Sequence, residues 1–347
     1  MKILAIETSC DETSAAVTEG RKIISNVVFS QIDLHKEYGG VYPFLAKREH
    51  IKAIDPVIEK ALKNANSMIK DIDAIAVTFG QGLVVSLEVG LNKAKQLAEK
   101  YQKPLIPVDH TEGHIYSSFA QNSVGNPKRS FQFPFLALIV SGGFTGLILV
   151  KDHITYEIVG KTLDDSAGEA LDKAAKMMGL SYPGGPILEK LAKTGKPDFI
   201  DLPIPMWKHK TLDFSFSGLK SAFKRKLENF SKQKIAKNMP NLAASFQVAV
   251  FGSIEKKLGQ AIKETNAKLL VGGGGVFANS QLRSIIRKVA KENHLGTYLP
   301  YDKKLCGDNA GMIGVVADFK YKKGFYLKRN FEELERVGRP NLTMWVN

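Results

Sequence analysis

Cysteine is nearly absent. Cys10 and Cys306 are the only two in 347 residues, which excludes a disulfide framework and fits a reducing compartment. Long hydrophobic runs are missing too. The longest apolar stretch, 133–140, is far short of the ~20 residues a membrane helix needs. The amino-terminal apolar segment meets Glu7 at once, with no h-region or small-residue cleavage site, so no secretory leader is expected. These absences predict a soluble, cytoplasmic protein with no membrane partner. Acidic residues are also in short supply: 35 Asp and Glu face 49 Lys and Arg, a formal charge of +14. That excess suits a polyanionic partner such as nucleic acid or a nucleotide, or reflects a Lys-rich genome. With 44% apolar and 24% charged residues, disorder, collagen and coiled-coil rods are excluded. The length predicts roughly two domains of ~150 residues.

Along the chain, apolar alternation predicts strands at 2–6 and 15–18 around a polar tip, Glu7-Thr-Ser-Cys-Asp-Glu-Thr-Ser14. Helical spacing follows at 48–64, with Ile51, Ile54, Val57, Ile58, Ala61 and Leu62. A strand at 72–78 ends in Gly80-Gln-Gly82, a helix spans 84–100, a strand 105–108, and a helix begins at His110. The polar stretch 121–131, with Gly and Pro, reads as a linker. The opening pattern then returns: strand 135–140, the turn Ser141-Gly-Gly-Phe-Thr145, strand 146–150. Such self-similarity predicts two α/β lobes, each led by a hairpin. Helices are expected at 166–178, 219–230, 241–265, 280–293 and 309–322, with a strand at 268–271. The stretch 181–218 reads as irregular, and the tail after Phe331 as loosely held.

Four features carry chemistry. In Asp109-His-Thr-Glu-Gly-His114, the two histidines lie four apart and so share one helix face. They either hold a metal with a third ligand from elsewhere or are two histidines at a helix start. The peptidase motif needs Glu directly after the first His; here Glu112 is two after. The turns Ser141-Gly-Gly143 and Gly272-Gly-Gly-Gly275 either cradle phosphate with backbone N–H groups or are plain tight turns, and Asn279 either caps the next helix or binds a ligand. In Leu163-Asp-Asp-Ser-Ala-Gly-Glu-Ala-Leu-Asp-Lys173, Asp164 and Asp165 suit a helix start and Asp172 is in reach of a ribose. Residues 182–186, Tyr-Pro-Gly-Gly-Pro, read as a fixed turn. Finally, the stretch 220–240, with Lys220, Lys224, Arg225 and Lys226, is either a phosphate-backbone surface or a solvated helix face.

These motifs together, with Phe214-Ser-Phe-Ser-Gly-Leu-Lys220, Ala278-Asn-Ser-Gln-Leu-Arg283 and Cys306-Gly-Asp-Asn309, resemble the bacterial TsaD family over residues 2 to 320, in family order. The resemblance implies the two-lobed actin, sugar-kinase and heat-shock ATPase fold with an interlobe cleft. Lobe I is expected at 1–125, with residues from about 310 to 347 packing back on it, and lobe II at 132–309. It implies an acyltransferase that carries a threonylcarbamoyl group from threonylcarbamoyl-AMP to N6 of adenosine 37 in tRNAs reading ANN codons. The implied metal, iron or zinc, is held by His110, His114 and Asp308. The implied substrate contacts are Ile139, Val140, Ser141, Gly142, Gly143, Asp172, Gly185, Glu189 and Asn279, with ATP or ADP as further occupants. Asp11 and Glu12 are implied proton- or cation-steering carboxylates, and Cys10 is not a nucleophile. Implied partners are tRNA, a TsaB-like paralogue and a TsaE-like ATPase, with a homodimer where the paralogue is absent.

Five positions depart from the family pattern. Phe144 stands for a usual His, Gln81 for Pro, Phe44 for Glu, Phe277 for a small residue and Leu171 for Phe. The expectation is a divergent, active member whose nucleotide pocket is altered near Phe144 and Phe277. A non-catalytic nucleotide-binding scaffold of the same fold is the alternative, and a metallopeptidase the third reading.

Overall fold

The computed structural model describes residues 1–334. Two five-stranded sheets share one layout. In the first, β1 (Lys2–Glu7), β2 (Glu12–Glu19), β3 (Lys22–Ser30), β4 (Ala74–Gly80) and β5 (Leu105–Asp109) lie in the order β3-β2-β1-β4-β5. In the second, β6 (Phe135–Val140), β7 (Thr145–Asp152), β8 (Thr155–Lys161), β9 (Leu269–Gly273) and β10 (Gly296–Tyr298) lie in the order β8-β7-β6-β9-β10. Each leading strand, β1 or β6, is central, with an antiparallel meander on one side and parallel neighbours on the other. Each sheet therefore repeats the other's topology, with a hairpin tip at the end of its leading strand.

The helices are α1 (Ile32–His35), α2 (Pro43–Asn64), α3 (Val84–Tyr101), α4 (His110–Ser117), α5 (Ala167–Met177), α6 (Gly184–Ala192), α7 (Ser217–Glu228), α8 (Lys232–Lys237), α9 (Met239–Glu264), α10 (Ser280–Glu292) and α11 (Ala310–Lys322). Strand side chains alternate faces, and here both faces are covered, so the central strands are apolar throughout. Leu4 and Ile6 of β1 join the cluster under α2 and α3. Ile3 and Ala5 point the other way, toward α11. In β6, Leu136, Leu138 and Val140 join the cluster with α5, α9 and α10, while Phe135, Ala137 and Ile139 face α4. Helices α4 and α11 are thus sandwiched between the two sheets. Burial of α11 is nearly complete from Ala310 to Ala317, and each buried Val or Ile there contributes about 1.5–3 kcal/mol.

Four expectations need correction. The stretch 181–218 is not irregular throughout: the Gly-Gly-Pro run opens α6, whose first amides are bonded by the Asp172 carboxylate. Strands β3, β8 and β10 are edge strands that the alternation did not single out. Helix α2 begins at Pro43, which suits a first helical position because its missing N–H would be unpaired there. Phe331 and Leu334 are buried against the lobe I cluster, and the Leu334 carbonyl accepts from Lys95; the rest of the tail expected to be loose lies outside the described residues.

Candidate metal centre between the lobes

Helix α4 starts where β5 ends, with no intervening loop. Asp109 is its N-cap: its carboxylate accepts from the Thr111 amide at 2.8 Å, and Glu112 returns a bond to the Asp109 amide at 3.0 Å. This reciprocal box sets His110 in the first turn, and His114 follows on the same face. Their ring centroids are 4.6 Å apart at 83°. Asp308 comes from the turn before α11, where Asn309 caps the helix through the Met312 amide. Its Oδ1 lies 3.4 Å from His110 Nε2 and 3.3 Å from His114 Nε2.

The ligand atoms of His110, His114 and Asp308 all lie within 4.8 Å of one another. Both ring nitrogens of His114 lack a hydrogen-bond partner although the ring is buried. Unpaired buried polar atoms are costly and rare. A cation at the convergence of the two Nε2 atoms and the carboxylate would take up the Nε2 lone pair of His114, and two imidazoles with one carboxylate are a donor set compatible with a divalent metal. His110 Nδ1 is held on the other side by Ser9 Oγ at 3.1 Å and Glu7 Oε2 at 3.3 Å. Burial opposes charge on His110, yet the Asp308 and Glu7 carboxylates outweigh it and hold its pKa well above the usual imidazole range. Burial and the neighbouring His110 push His114 down. Burial works to raise Asp308, but the two histidines hold it far below the usual carboxylate range.

Glu7 was visible only as part of a motif. Its signal is a carboxylate closing a wholly buried strand, and Thr78 and the Ser9 amide satisfy it. Glu112 is engaged elsewhere. Its carboxylate takes Lys320 Nζ at 2.6 Å with both side chains buried, which removes the general base a peptidase would need.

Asp11 and Glu12 sit at the β1–β2 tip. Asp11 is buried and its Oδ2 has no partner. Burial, then Asp11 and Asp308, push the Glu12 pKa well up. The same surroundings raise the Cys10 thiol, burial first, so it stays protonated. Asp172 and Tyr182 of the second lobe lie close enough to feel the Asp11 charge, though burial is the larger cause of their raised pKa values.

The Ser141–Gly143 turn is seated on the start of α5. Ser166 Oγ donates to the Gly142 carbonyl at 2.6 Å, and the Gly168 amide to the Ser141 carbonyl at 3.2 Å. A side chain on Gly168 would strike that carbonyl at 2.5 Å. Gln81 accepts from Thr111 at 2.8 Å and turns its amide toward Gly143, so it spans from lobe I to this turn. Ile139 and Val140 are fully buried, and the Val140 carbonyl packs against Gly274.

Other expected contacts hold structure. Asp172 Oδ1 accepts from the Gly184 and Gly185 amides at 2.8 and 2.9 Å. Glu189 accepts from the Ser280 amide and hydroxyl at the start of α10. Asn279 caps α10 through Gln281 and Leu282 and donates to Gln247, so both ends of its amide are engaged. Phe144 and Phe277 are buried core residues, each packed over a glycine: a side chain on Gly146 or Gly272 would strike the ring at 2.6 or 2.4 Å. Lys220 is ion-paired with Asp165 at 2.9 Å, while Lys224, Arg225 and Lys226 are exposed on α7.

The family model of TsaD, tRNA N6-adenosine threonylcarbamoyltransferase, matches residues 22–315. A relative of that name from Staphylococcus carnosus is 47% identical over 326 residues, 93% of this chain and 92% of the relative. One from Clostridium kluyveri is 46% identical over 346 residues, 99% and 98% of the two chains. Among solved structures, component A of the Acidaminococcus fermentans (R)-2-hydroxyglutaryl-CoA dehydratase has a TM-score of 0.54 at 14% identity, covering 93% of this chain and 99% of that one. The ROK hexokinase of Thermus thermophilus has 0.52 at 14%, covering 93% and 100%. These likenesses show a shared two-lobed fold. Among the described residues, no helix is long and apolar enough to cross a membrane.

Proposed function

The chain belongs to the TsaD family of tRNA N6-adenosine threonylcarbamoyltransferases, and from that premise we propose how its cleft performs the transfer. It is a transferase acting on tRNA. The donor is threonylcarbamoyl-AMP and the acceptor is N6 of adenosine 37 in tRNAs reading ANN codons. The observation that carries the reading is the convergence of buried His110 and His114 on half-buried Asp308, with no hydrogen-bond partner for either His114 ring nitrogen.

His110, His114 and Asp308 would hold one divalent ion, iron or zinc. Such an ion supplies Lewis-acid polarisation of the carbonyl when bound. Glu7 and Ser9 fix the His110 ring through Nδ1. The backbone of the Ser141–Gly143 turn receives the adenylate phosphate. Asp172 with Gly185, and Glu189 with Asn279, shape the nucleoside end by holding the starts of α6 and α10. The adenosine N6 attacks the carbonyl carbon, a C–N bond forms, the bond to the adenylate oxygen breaks, and AMP leaves. Glu12, its proton affinity raised by burial and Asp11, takes the proton the amine loses.

Lys224, Arg225 and Lys226 offer an exposed cationic helix face for tRNA phosphates. A TsaB-like paralogue and a TsaE-like ATPase are the proposed partners, and the cytoplasm the proposed compartment. The test is threonylcarbamoyladenosine formation, read by mass spectrometry after tRNA digestion, with the His110→Ala protein beside the wild type. The variant should lose bound metal and at least ~100-fold in transfer. Unchanged metal content and turnover would sink the assignment.

A further inference from the structure

Among the described residues, six Phe, Tyr and Trp side chains are exposed, and four of them lie between residues 29 and 44: Phe29, Tyr38, Tyr42 and Phe44. Exposed aromatic carbon concentrated in this way marks an interaction surface. Tyr38 and Tyr42 stack on each other at 5.2 Å and 14°, and Phe44 follows at 6.4 Å. Their exposures are 57%, 47% and 73%, so their outer faces are open to solvent.

The segment carrying them is pinned beneath. His35 is fully buried; its Nε2 meets Gln31 Oε1 at 3.2 Å, and its Nδ1 accepts from the Tyr42 amide at 3.3 Å. The Gln31 backbone N–H in turn donates to the Asp11 carbonyl at 2.9 Å. The rings therefore rise from a fixed base tied to the β1–β2 tip. The segment also reaches the second lobe: a side chain on Gly39 would lie 3.4 Å from Lys176 Nζ of α5. Lys176 is exposed and has no ion pair among the described residues. Two stacked rings and a third tilted beside them, next to an exposed cation from the second lobe, suit the binding of unpaired nucleic-acid bases. A protein partner would not need the open cation.

We propose that Tyr38, Tyr42 and Phe44 form a stacking platform for unpaired bases of the tRNA beside the reacting adenosine, with Lys176 on the adjoining phosphate. The choice of RNA rests on the proposed function. Tyr42, the middle ring, contacts both neighbours, and Phe44, tilted 55° to it, adds a second ring face where the family pattern has a carboxylate.

The test is fluorescence anisotropy of a dye-labelled, unmodified anticodon stem-loop, with a fully paired RNA of equal length as control. Tyr38→Ala, Tyr42→Ala and Phe44→Ala should each weaken stem-loop binding by about 5- to 100-fold and leave the duplex unaffected. Tyr42→Phe should bind like wild type, whereas Tyr42→Leu should fail like Ala, because it keeps apolar area and loses the ring face. Thermal unfolding of these surface variants should match wild type. Stem-loop affinity unchanged in all three Ala variants, the outcome if this face docks a protein, overturns the platform. So does a wild type that binds stem-loop and duplex alike. Full-length tRNA transfer separates the two readings. Wild type that binds through the rings yet forms no modified nucleoside sinks the proposed function alone. Transfer with an unchanged tRNA KM in the Ala variants sinks the platform alone.

Discussion

One half-buried histidine and one buried ion pair lend themselves to measurement one residue at a time. His153 stacks on Phe319 at 4.2 Å and meets the edge of Phe131 at 4.4 Å. Burial there pushes its pKa down to about 4. The unfolded chain then takes up the proton first as pH falls, because its imidazole titrates near ~6.5. The stability His153 contributes is therefore whole above ~6.5 and drains away as pH falls toward 4. A His153→Phe protein should lose less stability across that window in urea titrations; a native-state NMR titration midpoint near ~6.5 would contradict this. Lys320 and Glu112 are each 2% exposed and 2.6 Å apart. Lys320→Met leaves the Glu112 carboxylate alone between α4 and α11, which should cost about 3–5 kcal/mol. Adding Glu112→Gln should recover most of that in the same urea assay. Spacing weighed Glu112 only as a misplaced peptidase base and did not pair it with Lys320, because that partner lies 208 residues away.

At the scale of elements, legibility followed how local the stabilising contacts are. The two leading strands, α3 and α4 declare themselves by alternation, by helical spacing or by a cap in the neighbouring residue. Helix α6 does not, because the group that holds its first amides is Asp172, twelve residues before Gly184. From sequence, Gly-Gly-Pro looks like a turn. Strand β3 is hidden for a similar reason: Ser25 and Asn26 break its apolar run, and both are satisfied from a distance, by the Ala61 carbonyl and the Gly311 amide. The α6 arrangement gives a direct prediction. Asp172→Ala should destabilise the protein by about 1 kcal/mol, as loss of a cap does. Asp172→Asn keeps an accepting oxygen and should retain nearly all of that stability. An Ala variant as stable as wild type would return Asp172 to the role of a pure ligand contact.

In the whole molecule, the candidate metal site joins α4 to the turn that leads into α11, the two helices packed between the sheets. An ion bound there stabilises only the assembled molecule. At a free concentration 100 times its Kd it should add about 2.7 kcal/mol. A chelator should therefore lower the thermal midpoint of the metal-loaded protein, and the His110→Ala midpoint should not respond; equal shifts in both would place the ion elsewhere. The two-lobed α/β plan is legible along the chain, because alternation and turn chemistry are local and occur twice. So are the candidate ligands, because His110 and His114 share a helix face at four-residue spacing. Which polar groups are left over for chemistry depends on long-range packing. Asp172 Oδ1, Glu189 Oε1 and the Asn279 amide hold helix starts and Glu112 pairs with a buried lysine, while His114 Nδ1 and Asp11 Oδ2 have no hydrogen-bond partner. Whether a polar atom is satisfied depends on partners far away in the chain, and spacing carries no record of them.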